Sequence, residues 1–515
     1  MHVSAIRFAR VGAVCGLFAG SLAVSIWLVR PLDGGSTQTD AAATVLFFDR
    51  IVAGRHLEAF VNSTPKPLLT LVNGGLHALT GDWRAPALLT VVVLASSIVM
   101  AAELARRVAG REAAAFAAVG LVGSAALLIE TSWAVGLPWA FALWLAAGLA
   151  LMRAEPRYGL AGMFLLLAAL ARPETFLFLG LATLFLGWRL VRGPRPPRAA
   201  GLILLGWLAV AVFGIHDYLL TGNPLWWTEV SSISAAAHNP APVKAVAVLN
   251  ARHLIALRWL VVLAVAGVVV LIRRRAWLAF WGLAAMGPFV ALFTLFLAFR
   301  HLAVLGHYLH PIDLAVILSA AVGTGALLAE VRRRASSAFS SVPARVLSAA
   351  SVGSAALLAV LVSAPFAPTS AAARQSIGTQ ASFARRIDAV LPVLRDALRD
   401  VPAGDIAGPG PYRTPDPAGI ILFAPRYQVN RLAATLGVPM TRIWWLEPSQ
   451  IDLAAGYPPV GSIVYLDGSL NRGNVTEQTA VLRTSGPVIT DGVRIVPIRV
   501  DVGQQLWIVK IEPAQ

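Results

Sequence analysis

The chain has little charge and almost no cysteine. Of its 515 residues, 13% are Asp, Glu, Lys or Arg, about half the share found in soluble globular proteins. Cys15 is the single cysteine, which excludes a disulfide framework and a cysteine-based metal site. Apolar residues take the place of charge, since 57% of the chain is hydrophobic. This composition excludes both an ordinary soluble enzyme and a disordered chain.

The apolar residues are gathered into segments long enough to concern a membrane. A helix needs about 20 apolar residues to cross a bilayer, and we predict a mainly α-helical bundle of about eleven spans. The predicted spans are 11–29, 85–104, 113–130, 137–152, 159–173, 174–188, 199–216, 256–272, 276–298, 311–329 and 346–367. The fourth, fifth and sixth of them are short, so tilted, broken or partly re-entrant helices are alternatives there.

The charged residues are divided unequally between the connections. One set, which includes 273–275 and 332–334, carries 18 cations and 4 acids, whereas the opposite set before residue 369 carries ten of each. The tail adds 14 cations and 12 acids. Because cationic loops stay in the cytoplasm, we expect a cytoplasmic N-terminus and an external tail. The net charge of +16 therefore needs no nucleic acid to explain it.

The tail differs from the rest in composition. Acids are as frequent there as in soluble proteins, and stretches such as GPGPYRTPDP interrupt it. Apolar patterns predict helices over 371–400 and 426–436. Short apolar runs predict strands at 419–424, 462–467, 493–499 and 505–511. We therefore predict a transmembrane domain over 1–368 and an extracytoplasmic α/β domain over 369–515, whose role is either packing or acceptor docking.

The first outer connection, 30–84, is the longest in the membrane part. Its segments 43–54 and 67–81 have apolar faces suited to short helices along the membrane surface. Between them, Lys66 stands between two prolines in a chain with only three lysines. A compact ammonium is a good point-charge partner for phosphate. The alternative is an interfacial lysine that reaches the lipid headgroups.

Three acids lie where predicted spans meet the outer face. Glu130 follows the apolar run of LLIETSWAVGLP, Glu174 lies beside Arg172 in ALARPETFLF, and Asp217 lies in GIHDYLLTGNPLWW. Ionisable groups at such depths usually face a cavity or a partner. Arg172 and Glu174 have the alternative of pairing with each other, while Glu130 has no charge close in sequence.

The order of these features resembles the GT-C superfamily of polytopic glycosyltransferases, which take a sugar from a polyprenyl-phosphate donor. The shared features are an aspartate and a Lys-Pro element in a long first outer loop, Glu-Thr at the end of the third span, and Arg-Pro-Glu at a later one. TGNPLWW after the seventh span and HYLHP before a late one complete the pattern. The resemblance covers residues 1–330 and is nearest to bacterial aminoarabinose, mannosyl and arabinosyl transferases.

The resemblance implies roles for individual residues. Asp40 matches the first-loop aspartate that accepts a proton from the acceptor or orients it, and Glu130 matches the second acid. Lys66 matches the lysine that contacts the lipid phosphate. Ala41 follows Asp40 where some relatives have a second acid, which speaks against a divalent metal in this loop.

The remaining motif positions fall into two groups. Residues expected to shape the cavity are Arg172, Glu174, Asp217 and His310. Residues expected near the donor phosphate, besides Lys66, are Arg300, His307 and Tyr308; the histidine stands where some relatives have arginine, and Arg300 is the candidate for the missing charge.

The chemistry agrees with this resemblance. Displacement of a lipid phosphate from an anomeric carbon needs a base on an acceptor hydroxyl and cations for the leaving phosphate. We therefore predict an inverting hexosyl- or pentosyltransferase of a bacterial cytoplasmic membrane, which moves a sugar from a polyprenyl phosphate to an envelope glycan, lipid or protein on the outer face. No cofactor is required.

Two other function classes compete with this hypothesis. A transporter or flippase of envelope precursors would also have many spans and a few intramembrane acids. Such proteins usually show repeated halves and broken helices at the bilayer centre, whereas this sequence has no internal repeat and its polar residues gather at one face. A non-catalytic scaffold whose outer domain binds an envelope polymer is the third hypothesis.

Overall fold

The chain is a helical bundle that carries a small sheet at one end. The structure is a computed structural model, and it describes residues 2–33, 39–61, 63–192, 197–230, 242–284, 286–300, 304, 306–338, 341–363, 371–399, 413, 416, 419–425, 428–446, 451–467, 477–501 and 506–514. Helices account for most of these residues, in agreement with the predicted fold class.

The helices follow one another with short connections. From the N-terminus to the first long span they are His2–Val29, Thr39–Val52, Pro67–Leu69, Thr70–Gly74, Gly75–Thr80 and Arg84–Ala109. The next group is Arg111–Val122, Ala125–Ser132, Gly136–Leu151, Tyr158–Ala171, Thr175–Arg192, Arg198–Trp207 and Leu208–Thr221. The remaining ones are Val243–Ala256, Trp259–Arg273, Trp277–Ala279, Phe280–Ala284, Met286–Phe299, Gly306–Leu309, His310–Ala338, Ala344–Ser363, Ala371–Ala397, Val429–Leu436 and Glu477–Leu482.

The helices identify an integral membrane protein but do not confirm the predicted count of about eleven spans. Within the described residues, six helices are long and apolar enough to cross a membrane, and two bent pairs raise the number to eight. One pair, Arg111–Val122 with Ala125–Ser132, bends by 48° where one continuous span was expected. The other, Val243–Ala256 with Trp259–Arg273, bends by 89°.

Three of the predicted spans form shorter apolar helices. Gly136–Leu151, Tyr158–Ala171 and Thr175–Val191 have 10 to 17 residues. At about 1.5 Å per residue, a helix of 14 to 16 residues is roughly 21–24 Å long, less than the ~30 Å hydrocarbon core. These are the segments whose shortness already raised the alternative of broken or partly re-entrant helices.

One helix forms the axis of the bundle. Every residue from Pro311 to Gly325 on His310–Ala338 is buried. Helix Trp259–Arg273 crosses it closely, because a Cβ on Gly267 would lie 1.9 Å from the carbonyl oxygen of Ser319. Small residues at such a crossing let two backbones approach and pack without side chains between them. The crossing fixes the position of the axial helix, whose first turn reaches the polar end of the bundle.

A six-stranded sheet follows the bundle. Its strands are β1 Leu422–Ala424, β2 Ile443–Trp445, β3 Ile463–Asp467, β4 Val488–Thr490, β5 Val493–Asp501 and β6 Leu506–Pro513, in the spatial order β2-β1-β3-β6-β5-β4. β2, β1 and β3 are parallel, and β6 is antiparallel to β3 with Tyr465 opposite Ile508. Four strands and both long helices of the predicted tail are confirmed, whereas the three-residue strands β2 and β4 are too short for a pattern to reveal.

The sheet shares a hydrophobic core with the first long loop. Phe47 and Phe60 of that loop belong to the same buried cluster as Phe423 and Ile508 of the sheet. Polar contacts reinforce it, since Trp83 Nε1 donates to Thr435 Oγ1 at 3.2 Å and the guanidinium of Arg431 lies 5.2 Å from the Trp83 ring. The loop is therefore held from the side of the sheet.

The arginine-rich connections meet at the opposite end. Arg332 Nη1 lies 2.6 Å from Oε1 of the buried Glu112, and Arg274 Nη1 donates to the carbonyl oxygen of Val108 at 3.1 Å. The grouping that the charge pattern assigned to one face is therefore a grouping in space.

Candidate functional site

Asp40 and Lys66 form an ion pair in the first long loop. Lys66 Nζ donates to Asp40 Oδ2 at 2.8 Å and to the carbonyl oxygen of Thr64 at 3.2 Å. Ser63 Oγ donates to Asp40 Oδ1 at 2.9 Å. The Asp40 side chain is 31% exposed and the Lys66 side chain 11%. The carboxylate is thus the more accessible partner, and the ammonium lies beneath it.

The local sequence explains the placement of both charges. Asp40 is in the first turn of Thr39–Val52, where the helix dipole favours a carboxylate. Lys66 directly precedes the helical turn Pro67–Leu69, and a proline in the first helical position loses no hydrogen bond. The Pro-Lys-Pro sequence therefore fixes the point at which the chain turns into a helix, and Lys66 stands at that point.

Close packing sets the distance between the two helices. A Cβ on Gly74 would lie 2.1 Å from the Cβ of Phe48, so only glycine permits this approach. Asn73 Nδ2 donates to Thr44 Oγ1 at 3.3 Å and to the carbonyl oxygen of Ala134 at 3.4 Å. Asn73 lies in the wider π-helical turn Thr70–Gly74, a feature that is often found at functional sites.

Glu130 lies at the centre of a second cluster. Its Oε2 is 3.3 Å from Arg172 Nη1, and its Oε1 is 2.7 Å from His310 Nδ1. Arg172 Nε is in turn 3.2 Å from Glu174 Oε1. The side chain of Glu130 is 2% exposed, that of Arg172 6% and that of Glu174 23%. Arg172 and Glu174 therefore pair with each other, as one interpretation expected, and Arg172 also pairs with Glu130.

A glycine and a strained turn build this second cluster. A Cβ on Gly136 would lie 2.2 Å from the carbonyl oxygen of Ala171, so the residue before Arg172 approaches the start of Gly136–Leu151 closely. Ala134, between that helix and Glu130, has φ = +51°. A non-glycine residue in this left-handed region is uncommon and is held there by its surroundings.

Tyr308 connects the two clusters electrostatically. It precedes the axial helix in the short turn Gly306–Leu309. Burial raises the pKa of Tyr308 to about 12; the charges of Glu174 and Asp40 act in the same direction, while Arg172 opposes them. Groups from both clusters thus face one phenol, which stays protonated and able to donate a hydrogen bond at neutral pH.

Asp217 is fully buried and has partners on two sides. Its Oδ1 lies 3.1 Å from His216 Nδ1, and its Oδ2 accepts a hydrogen bond from the backbone N–H of Trp227. His216 Nε2 lies 3.1 Å from Thr70 Oγ1. Asp217 therefore acts on the site from below, through the helical stretch that begins after Lys66.

Two residues expected near the donor phosphate have a different standing. Arg300 follows the end of Met286–Phe299 and is exposed, and among the described side chains none forms an ion pair with it. Its backbone is placed, but no described contact joins it to Lys66 or Tyr308. The side chain of His307 lies outside the described residues.

The site also contains polar residues that sequence reasoning missed. Ser63 bonds to Asp40, and His216 and Thr70 form a chain from Asp217. His216 adjoins a predicted site residue, so its adjacency was an available signal. Ser63 and Thr70 are common residue types in loops and helices, and the sequence holds no signal for them. In the part of the chain that the structure describes, no three His, Cys, Asp or Glu side chains are grouped as metal ligands.

Comparison with known proteins gives similarity in fold. No protein-family model and no curated protein sequence matches the chain. Among solved structures, ArnT from Cupriavidus metallidurans, bound to undecaprenyl phosphate, is 14% identical with a TM-score of 0.54. That match covers 97% of this chain and 98% of ArnT.

A second solved protein shares less of its length. The oligosaccharyltransferase of Archaeoglobus fulgidus, in complex with Zn and sulfate, is 13% identical with a TM-score of 0.51. The match covers 83% of this chain and 62% of that one. Both likenesses show that the chain has the fold of the GT-C glycosyltransferases, and they confirm the resemblance drawn from the motifs.

Proposed function

We propose that the chain is a membrane glycosyltransferase that moves a sugar from a polyprenyl phosphate to an acceptor hydroxyl. The observation that supports this most directly is the ion pair between Asp40 and Lys66 within a fold shared with ArnT, whose solved structure holds undecaprenyl phosphate. A base and a phosphate-binding cation are the two groups that the reaction needs, and here they lie 2.8 Å apart.

The reaction is a displacement at the anomeric carbon of the sugar. The acceptor oxygen forms a bond to that carbon while the bond from the carbon to the phosphate oxygen breaks. The acceptor proton goes to Asp40, and both electrons of the broken bond leave with the polyprenyl phosphate. The phosphate changes from a diester with one negative charge to a monoester with two, so a nearby cation stabilises the transition state more than the ground state.

Lys66 has a role in both halves of this reaction. Without donor, its ammonium is bound to Asp40 and holds that carboxylate deprotonated. A lipid phosphate that takes over the ammonium removes a hydrogen bond from Asp40 and makes the carboxylate a stronger base. Donor binding thereby prepares the base, and Ser63 keeps the orientation of the carboxylate during the exchange.

The second cluster shapes the space around the sugar in this proposal. Both oxygens of Glu130 have cationic or imidazole partners, and the group is almost entirely buried. It is therefore the less available base, although the family pattern assigns it a place near the sugar or acceptor. Tyr308 and the half-exposed Glu174 are the groups through which this cluster contacts a substrate.

The stereochemistry follows from the number of bases. Asp40 is the single proposed base, and no second carboxylate is assigned as a nucleophile. A single displacement therefore inverts the configuration at the anomeric carbon. Phosphate is a good leaving group, so no general acid is needed on the donor side.

The proposed location follows from charge. The arginine-rich end of the bundle faces the cytoplasm, and the end with Asp40, Glu130 and the sheet faces outward in a bacterial cytoplasmic membrane. The acceptor is then an envelope glycan, lipid or protein, and residues 369–515 form an external α/β domain. Reporter fusions at residue 515 test this directly, since cytoplasmic reporter activity there would contradict the outward site.

A transporter or flippase is the less favoured alternative. The helical fold matches glycosyltransferases along the whole length of ArnT, and the sequence has no repeated halves. The ionisable residues of the site gather at one end of the bundle rather than at its middle.

The test uses the full chain in nanodiscs with a synthetic polyprenyl-phosphate sugar and candidate acceptors. We expect acceptor-dependent release of polyprenyl phosphate, followed by mass spectrometry, and an inverted anomeric configuration in the product, followed by NMR. A deletion strain that loses one envelope glycan modification identifies the acceptor. Movement of labelled lipid across liposomes without release of polyprenyl phosphate would favour the transporter instead.

A further inference from the structure

His216 occupies the space between the two helices of the first loop and the end of Leu208–Thr221. Its Nδ1 lies 3.1 Å from Asp217 Oδ1 and its Nε2 3.1 Å from Thr70 Oγ1. All three residues are buried, with exposed fractions of 7%, 0% and 3% for His216, Asp217 and Thr70. A buried imidazole with a bonded group at each nitrogen has a defined orientation.

The direction of each hydrogen bond follows from the groups present. A carboxylate only accepts, so the proton of the neutral imidazole is on Nδ1 and points at Asp217. Nε2 then accepts from the hydroxyl of Thr70. The second oxygen of Asp217 accepts from the N–H of Trp227 in the loop TGNPLWW. Each member of the chain is thereby paired.

This order of carboxylate, imidazole and hydroxyl is that of a hydrolase triad, but the chemistry differs. A nucleophilic hydroxyl must meet a substrate. Thr70 is inside a helical stretch and 3% exposed, so its oxygen has no room for an incoming carbon. The chain of bonds is therefore a device for position, not for nucleophilic attack.

What it positions is the residue one helical turn away. The N–H of Thr70 donates to the carbonyl oxygen of Lys66 at 2.8 Å, so fixing Thr70 fixes the backbone from which the ammonium extends. His216 also packs edge-on against Phe47, with ring centroids 6.2 Å apart. Phe47 lies two turns after Asp40 on the same helix face. One imidazole thus contacts the elements of both charges.

We propose that Asp217, His216 and Thr70 are positioning residues, which hold Lys66 on Asp40 so that the pair is set for donor binding. This inference rests on the proposed function for its catalytic meaning, and on geometry alone for its structural meaning. It predicts that loss of the Thr70 hydroxyl loosens the ion pair without removing either charge.

The chain offers a direct measurement of this loosening. It has three lysines, of which Lys244 is exposed and Lys510 has a side chain 48% exposed, so both serve as internal references for amine labelling of Lys66. The variants are Thr70→Val, which keeps the volume and removes the hydroxyl, and Thr70→Ser, which keeps the hydroxyl. Asp40→Asn is the positive control, because it breaks the ion pair directly.

We expect Lys66 in Thr70→Val to be labelled about fivefold faster than in the natural chain, the factor for a hydrogen bond of about 1 kcal/mol. Thr70→Ser should label at the natural rate, and the references should not change. Should Thr70→Val fail to fold, Thr70→Ala is the second variant, because the space it leaves admits a water to His216 Nε2.

The outcomes separate this inference from the proposed function. Unchanged labelling of Lys66 in Thr70→Val together with a lower Tm would overturn it and leave the chain of bonds a purely structural feature. Where the natural chain transfers sugar, Thr70→Val should also raise the KM for donor about fivefold and leave the acceptor KM unchanged. Faster labelling in a chain with no transfer activity would contradict the proposed function and keep the positioning geometry.

Discussion

Asp40 and Glu130 are both carboxylates at the polar end of the bundle, but their surroundings differ. Asp40 is 31% exposed and is bonded to a lysine and a serine. Glu130 is 2% exposed and is bonded to an arginine and a histidine. A base must be reached by its substrate and must gain a proton during the reaction, and Asp40 meets both conditions better.

The partners strengthen this contrast. Arg172 keeps its charge at any relevant pH and its planar guanidinium bridges Glu130 and Glu174, so it fixes both carboxylates in place. Lys66 is a compact point charge on a flexible stem and can exchange one anion for another. A buried, fully paired carboxylate organises a site, whereas an accessible carboxylate with an exchangeable partner can take part in its chemistry.

The largest effect is expected for Asp40→Asn. The amide keeps the shape of the side chain and lacks the basic lone pair, so transfer should slow by about 10²–10⁴. The initial rate of polyprenyl phosphate release measures this, with Tm and lipid-phosphate binding as controls that should stay close to the natural values. A fully active Asp40→Asn would reverse the comparison and make Glu130 the leading base.

Glu130→Gln should act mainly on stability. The change leaves Arg172 with Glu174 alone in a buried position, and we expect a loss of about 3 kcal/mol, near the lower end for a broken buried pair. Thermal unfolding in detergent measures it beside Asp40→Asn, which should leave Tm nearly constant. The contrast would be lost if Glu130→Gln kept its Tm and lost activity as strongly as a removed base.

Lys66→Ala should weaken donor binding. A hydrogen bond to a charged group contributes about 1.5–3 kcal/mol, so the Kd for a polyprenyl phosphate should rise roughly 10–100-fold. Lys66→Arg should restore it only in part, because a planar fork does not replace a point charge. Calorimetry of lipid binding measures both, and Lys244→Ala is the control at an exposed lysine. An unchanged Kd in Lys66→Ala would return this residue to an interfacial anchor.

Tyr308→Phe is expected to have the smallest effect and to leave the pH profile unchanged. The pKa of Tyr308 is raised to about 12, so the phenol stays neutral through any assay near neutrality and its deprotonation cannot produce an alkaline limb there. Loss of one neutral hydrogen bond, about 1 kcal/mol, should slow transfer about fivefold. Rates from pH 6 to 10 in both proteins measure it. An alkaline limb that disappears in Tyr308→Phe would show that the phenol titrates within this range.

The sequence alone was sufficient for the class of the protein. Composition and apolar segments determined a polytopic membrane chain, and the ordered motifs around Lys66 and Arg172 determined the GT-C resemblance that the fold confirms. Periodicity also located the helices and the longer strands of the tail. These properties depend on residues close in sequence, where spacing and polarity are enough.

Tertiary structure decided which of these residues meet. Glu130 has no charged neighbour in sequence, yet Arg172 and His310, 42 and 180 residues away, bond to its two oxygens. Segments of 14 to 16 residues satisfied an apolar pattern, and only their bends and lengths separated them from full spans. The link from Asp217 through His216 to Thr70 crosses 146 residues. Such contacts depend on where glycines such as Gly136 and Gly267 let backbones approach, and a single sequence does not record which backbone comes near.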